Sequence, residues 1–231
     1  MKITKHMLVV GSLALLMTAT LAQAQFKLPA ALGGKSSTSG GNTDNSDAAA
    51  AQDSLVRTFV ASQTEVVTAQ ALLAHAYGLK DQAALLEAQQ KALSSGGVKE
   101  AADLQTSLDI SNKASAEIAA QQASQATLSE EGKKYYAESL PHFAKGVVGT
   151  HRLVGEVSKF GSTAKNSMSG GGLAGLGSGM TKLKVGMFVV KATPAYSKAV
   201  FDTFRKTVSI GQSNGVKVPT DATQALSDLG T

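Results

Sequence analysis

The sequence predicts an all-α protein, built as an elongated antiparallel bundle of four to five helices with a Gly-rich loop. Apolar residues recur every three or four positions in several long segments, which is the period of an amphipathic helix. Gly, Asn and capping residues mark the ends of these segments, and the short connections between them favour antiparallel neighbours. Only 5% of the 231 residues are aromatic, so we expect a core rich in Leu, Val and Ala.

The first 24 residues have the pattern of a secretory signal peptide. Lys2 and Lys5 give a positive start, residues 7–21 are apolar and uncharged, and residues 22–24 (Ala-Gln-Ala) match a cleavage site. An uncleaved anchor is the alternative, but the apolar run is shorter than the roughly 20 residues that span a bilayer. We therefore expect export to the periplasm, with the extracellular space as the alternative destination.

Composition excludes several classes of function. The chain has no Cys, which excludes a lipoprotein, a thiol nucleophile, a thiolate-bound metal and a c-type haem. Loss of the leader lowers the formal net charge from +5 to +3, and the remaining Lys and Arg residues are dispersed. A dispersed, weak positive charge argues against nucleic-acid binding.

A linker and a single helical domain are expected after the leader. Residues 25–50 contain a Ser/Gly/Asn-rich run that buries too little apolar surface to offset its chain entropy. The helical domain is expected over residues 51–231. Its first helix is expected to begin at Asp47 or Asp53 and to end at Tyr77.

The apolar stripe of the first helix is interrupted by Gln63 and Gln70. A second helix is expected over residues 81–93, ended by a Ser-Ser-Gly-Gly run. A third, over residues 99–125, has a heptad seam typical of a coiled coil. Small residues in the middle of that seam let a partner helix come close. The seam comprises Ala101, Leu104, Leu108, Ser111, Ser115 and Ile118.

The fourth helix is expected to begin at residues 127–130 (Thr-Leu-Ser-Glu), which resemble a capping box. Pro141 is expected to kink this helix or to shift its start, because proline removes a backbone donor and clashes with the preceding turn. Thr150 fills one step of the apolar stripe. The other stripe residues are Tyr136, Leu140, Phe143, Val147, Val154, Val157 and Phe160.

A Gly-rich loop is expected over residues 169–180, and the apolar segment 185–190 fits either a strand or a buried helix. Thr193 and Pro194 resemble an N-cap and a first helical residue, which predicts a helix from Pro194 to Ser213. A short C-terminal helix is expected over residues 220–228.

Catalytic, cofactor and metal sites are not expected. Glu138 and His142 are four residues apart, but no Glu-x-x-His motif accompanies them and Pro141 lies between them. Residues 175–179 (Gly-Leu-Gly-Ser-Gly) lack the strand of a nucleophile elbow, and the P-loop spacing is absent.

The function that these features favour is an exported, non-catalytic binding or scaffold protein of the bacterial cell envelope, monomeric or weakly self-associating. Its partner is expected to be an envelope protein or an apolar ligand. One alternative is a membrane-active protein that inserts residues 169–190; another is a carrier of an apolar ligand between helices. Candidate membrane or ligand contacts are Leu173, Leu176, Met180, Met187 and Phe188.

Overall fold

The computed structural model describes residues 43–98, 100–124, 127–170 and 183–230, without the side chains of residues 43–46 and 167–170. Within these ranges the chain forms six helices and no strand, so the predicted all-α class is confirmed. The helices are α1 (Thr43–Ala76), α2 (Lys80–Ser94), α3 (Ala101–Ala123), α4 (Glu130–Gly170), α5 (Lys184–Ser213) and α6 (Thr220–Asp228).

Helix α1 packs against α2, α3, α4 and α5. It runs antiparallel to α4: the end of α1 at Ala76 lies against Gly132, and Ser54 Oγ donates to Glu156 Oε2 at 3.2 Å near the other end. It runs parallel to α5, because Gln52 Oε1 accepts from the backbone N–H of Gly186 at 3.0 Å and Ser62 contacts Tyr196 further along. Helix α1 therefore contacts four of the other five described helices, and α6 packs against α4 and α5.

The first helix begins at Thr43, earlier than Asp47 or Asp53. Residues 43–50, which we assigned to the linker, are therefore helical. An Ala-rich stretch with high helix propensity explains the difference, and Ala48 is buried. The signal peptide and the rest of the predicted linker lie outside the described residues.

The core is rich in Leu, Val and Ala, as expected, and it also contains most of the few aromatic residues. Phe59, Tyr136, Phe143, Phe160 and Phe204 are among the largest fully buried side chains, and they belong to one cluster with buried residues from α1, α3, α4, α5 and α6. A smaller cluster lies among α1, α2 and α3. Its buried members are Val67, Ala71, Ala74, Ala83, Leu86, Leu93 and Ala114.

Helix α4 starts at Glu130, so Pro141 does not shift its start. The cap differs from the prediction: Ser129 Oγ accepts from the backbone N–H of Gly132 at 2.9 Å, and Thr127 is exposed outside the helix. One stripe position was also wrong. Val154 is 47% exposed, and the adjacent Leu153 is buried in its place.

Helix α5 begins at Lys184, ten residues before Pro194, so the predicted start at Pro194 with Thr193 as its N-cap is wrong. Thr193 Oγ1 donates to the carbonyl of Val189 at 2.7 Å, a bond made within a helix and not at its cap. Segment 185–190 is helical because Val189 is buried and Gly186 lies against the Phe160 ring. Burial of this turn offsets the helix-breaking effect of the proline.

Candidate functional site

A pocket of about 440 Å³ opens where α1 ends, α2 begins and α4 begins. Its volume falls within the roughly 300–1,000 Å³ that is typical of small-molecule sites. The lining residues come from two stretches of the chain, 75–80 and 127–135. They are His75, Ala76, Tyr77, Gly78, Lys80, Thr127, Ser129, Glu131, Gly132 and Tyr135.

Local backbone chemistry explains why these segments meet. Gly78 adopts φ 70°, a left-handed conformation that favours glycine, and its N–H donates to the carbonyl of His75 at 3.0 Å. This turn ends α1 and leads directly into α2 at Lys80. Gly132 brings the first turn of α4 against the end of α1, where an added Cβ would lie 2.6 Å from the carbonyl oxygen of Ala76.

Two stacked rings form the aromatic part of the wall. The rings of His75 and Tyr135 have centroids 5.1 Å apart and planes inclined by 24°. His75 Nε2 also lies 2.7 Å from Glu87 Oε1 on α2, so contacts on both sides fix the imidazole. Burial raises the pKa of the Tyr77 phenol, so this group is neutral near neutral pH.

The pocket wall carries one positive and one negative side chain. Lys80 and Glu131 are both exposed, and neither pairs with another side chain among the described residues. The neighbouring Glu130 differs, because its hydrogen bond to Lys133 at 2.8 Å lowers the pKa of its carboxyl. Lys80 and Glu131 are therefore available to a ligand.

The structure describes two of the five predicted contact residues. Leu173, Leu176 and Met180 lie outside the described residues. Met187 is 50% exposed, whereas Phe188 is half-buried and packs against the core. In the described ranges no helix is both long and apolar enough to cross a membrane.

Glu138 and His142, the two residues considered as a metal-binding pair, do not pair with each other through their side chains in the described structure. Glu138 is exposed, and His142 Nδ1 lies 2.7 Å from Glu65 Oε2 on α1 instead. Among the residues that the structure describes, no group of three or more His, Asp or Glu side chains is arranged to hold a metal ion. The His142–Glu65 pair links α4 to α1.

A buried hydroxyl cluster joins α1, α4 and α5. Ser62 Oγ donates to the carbonyl of Gly146 at 2.9 Å and lies 2.8 Å from Thr150 Oγ1 and 3.1 Å from Tyr196 Oη. Burial raises the pKa of Tyr196 to about 12. These neutral groups satisfy one another's hydrogen bonds, which is what a structural contact between helices requires.

Sequence reasoning did not find the pocket. Gly78 and residues 127–130 were interpreted only as helix boundaries. Their joint role depends on the antiparallel pairing of α1 and α4, which brings the end of one helix to the start of the other although they are more than fifty residues apart.

No family model matches the chain, and neither the curated proteins nor the solved structures contain a match. A fold alone does not define a function. The pocket and the leader pattern are therefore the basis of the proposal that follows.

Proposed function

We propose that this protein is an exported, non-catalytic binding protein of the bacterial cell envelope, with the pocket between α1, α2 and α4 as its ligand site. The pocket carries the proposal, since it combines a suitable volume with stacked rings and two available charges. The leader pattern of residues 1–24 supports export to the periplasm. An elongated antiparallel bundle with a Gly-rich loop stays the predicted architecture.

A binding role fits the pocket better than a hydrolytic one. Nucleophilic catalysis by a hydroxyl needs a base within hydrogen-bond reach of it. Among the described residues, the polar partner of His75 is Glu87, and its ring stacks on Tyr135. The nearby Ser129 hydroxyl accepts the N–H of Gly132 and serves as a helix cap.

Exposure of Met187 supports a second candidate, a membrane-active role for segment 169–190. This side chain lies in the first turn of α5, directly after the Gly-rich segment. Dye-filled liposomes test it: leakage caused by the mature protein, and lost when residues 169–190 are deleted, would favour membrane activity over small-molecule binding.

Export is tested by expressing the full chain in bacteria and measuring the molecular mass of the protein in the periplasmic fraction by mass spectrometry. We expect a mature chain that begins at Gln25. An Ala24→Lys variant is the matched control, because a large charged residue blocks the small-residue cleavage site, and it should keep its leader. Wild-type protein found intact in the cytoplasm would contradict the proposal.

A further inference from the structure

We infer that the pocket takes a small zwitterion, a molecule with an ammonium and a carboxylate a few bonds apart, such as a free α-amino acid. This inference rests on the proposed binding function and names its ligand class. The juxtaposition of Lys80, Glu131 and the His75–Tyr135 stack around one cavity carries it.

The two charges select against simpler ligands. A ligand with only a negative charge would be attracted by Lys80 but repelled by Glu131. A ligand with only a positive charge would be attracted by Glu131 but repelled by Lys80. A ligand with both charges pairs with both side chains, so complementarity and repulsion favour the same class. Both side chains are exposed and unpaired among the described residues, so pairing with a ligand breaks no ion pair.

The helix ends assign an orientation to the ligand. Ala76 and Tyr77 line the pocket at the C-terminus of α1, where the helix dipole is negative. Lys80 is the first residue of α2, where the dipole is positive. At the N-terminus of α4 the dipole is also positive, but Glu131 in its first turn supplies a full negative charge there. We therefore place the ligand carboxylate toward Lys80 and its ammonium toward Glu131 and the end of α1.

The stacked rings indicate which kind of side chain the zwitterionic ligand carries. Tyr135 and His75 present a fixed aromatic surface, because each ring is held by the other and His75 is also held by Glu87. Aromatic and apolar groups pack well on such a surface. A pocket of about 440 Å³ has room for an amino acid with a ring. L-Phenylalanine is therefore the probe of choice.

Calorimetric titration of the purified mature protein tests the inference. The probes are L-phenylalanine, 2-phenylethylamine, which lacks the carboxylate, and 3-phenylpropionate, which lacks the ammonium. We expect L-phenylalanine to bind at least about tenfold more tightly than either analogue, since each analogue loses one charge-assisted contact.

Variants assign each charge to its partner. Lys80→Gln should weaken the binding of L-phenylalanine about tenfold but should not weaken the binding of 2-phenylethylamine. Glu131→Gln should also weaken the binding of L-phenylalanine about tenfold, but it should not weaken the binding of 3-phenylpropionate. Lys91→Gln on α2 and Glu130→Gln on α4 are matched controls outside the pocket and should bind like the wild type. Thermal unfolding verifies that every variant is folded.

Equal affinity for the three probes, or no binding of L-phenylalanine, would overturn the zwitterion assignment. If another small molecule then binds and shifts the Tyr135 ring resonances, the binding function survives without the inferred ligand class. If the protein from its own envelope carries no small molecule, the proposed function fails as well.

Discussion

Gly146 shows how one residue sets the distance between two helices. An added Cβ would lie 2.7 Å from Val66 Cγ2 and 3.3 Å from the Val66 backbone nitrogen. Val66 is buried and β-branched, so its side chain has little freedom to move away. Glycine at this position therefore permits the contact between α4 and α1.

Gly146→Ala is expected to lower the free energy of unfolding by about 1–3 kcal/mol, because the added methyl overpacks the helix interface. Gly155→Ala is the matched control in the same helix: its Cβ would meet no atom of the described residues within 4 Å, and alanine favours the helix by about 1 kcal/mol. Urea denaturation measures both. A Gly146→Ala variant as stable as Gly155→Ala would contradict this packing.

Tyr196 predicts a loss of stability in alkali. Its pKa is near 10 in the unfolded chain, and burial raises the pKa to about 12 in the fold. The folded state therefore keeps a proton that the unfolded state loses. Stability is unaffected below pH 10 and falls by about 1.4 kcal/mol per pH unit between pH 10 and pH 12 for each such tyrosine.

Tyr196→Phe should make the decline of stability with pH shallower. Part of the decline should remain, because burial also raises the pKa of Tyr136. Urea denaturation at several pH values from 8 to 11 measures the slope. Identical slopes for wild type and variant would show that Tyr196 titrates normally in the fold.

At the scale of elements, polar side chains connect α1 to α3. Gln70 Nε2 donates to Ser115 Oγ at 2.7 Å, and Ser111 Oγ donates to Gln70 Oε1 at 2.9 Å. Gln63 is equally buried but makes long contacts to Ser107 of 3.4 and 3.5 Å, and its Oε1 has no hydrogen-bond partner among the described residues. The two glutamines therefore contribute differently to the stability of the α1–α3 contact.

Gln70→Leu is expected to cost about 1–3 kcal/mol of stability, since it removes the partner of the buried Ser111 hydroxyl and of the half-buried Ser115 hydroxyl. Gln63→Leu should cost less than Gln70→Leu, because it removes an unsatisfied buried oxygen and gives up only the long contacts to Ser107. Paired urea denaturation curves compare them. A larger loss for Gln63→Leu than for Gln70→Leu would contradict this assignment of the α1–α3 contacts.

Pro194 tests whether α5 is continuous. Inside a helix a proline costs about 3 kcal/mol relative to alanine, whereas at the first helical position it is well tolerated. Pro194 lies within α5 and is exposed. Pro194→Ala should therefore raise the unfolding midpoint temperature. A lower midpoint would favour a helix that starts at residue 194.

At the scale of the whole molecule, the sequence predicts what is local. Leu104, Leu108 and Ile118 are buried as the seam of α3 requires, because helical spacing alone decides which residues share a face. Gln63 and Gln70 were interpreted as interruptions, since their serine partners are more than forty residues away. The start of α5 was misplaced because tertiary burial of Gly186 and Val189 overrides the local signal from Pro194.

The pocket was not predicted for the same reason. Glu131 and Lys80 are ordinary exposed charges in the sequence, and only the antiparallel pairing of α1 with α4 brings them to one cavity. Spacing along the chain carries no information about that pairing.

Native mass spectrometry of the protein purified from its own envelope tests the central claim most directly. We predict a chain that begins at Gln25 and carries one small-molecule adduct, which a Glu131→Gln variant prepared in the same way retains to a much smaller extent. A wild-type chain that still carries residues 1–24, or a mature chain without any adduct, would contradict the proposal that this is an exported binding protein.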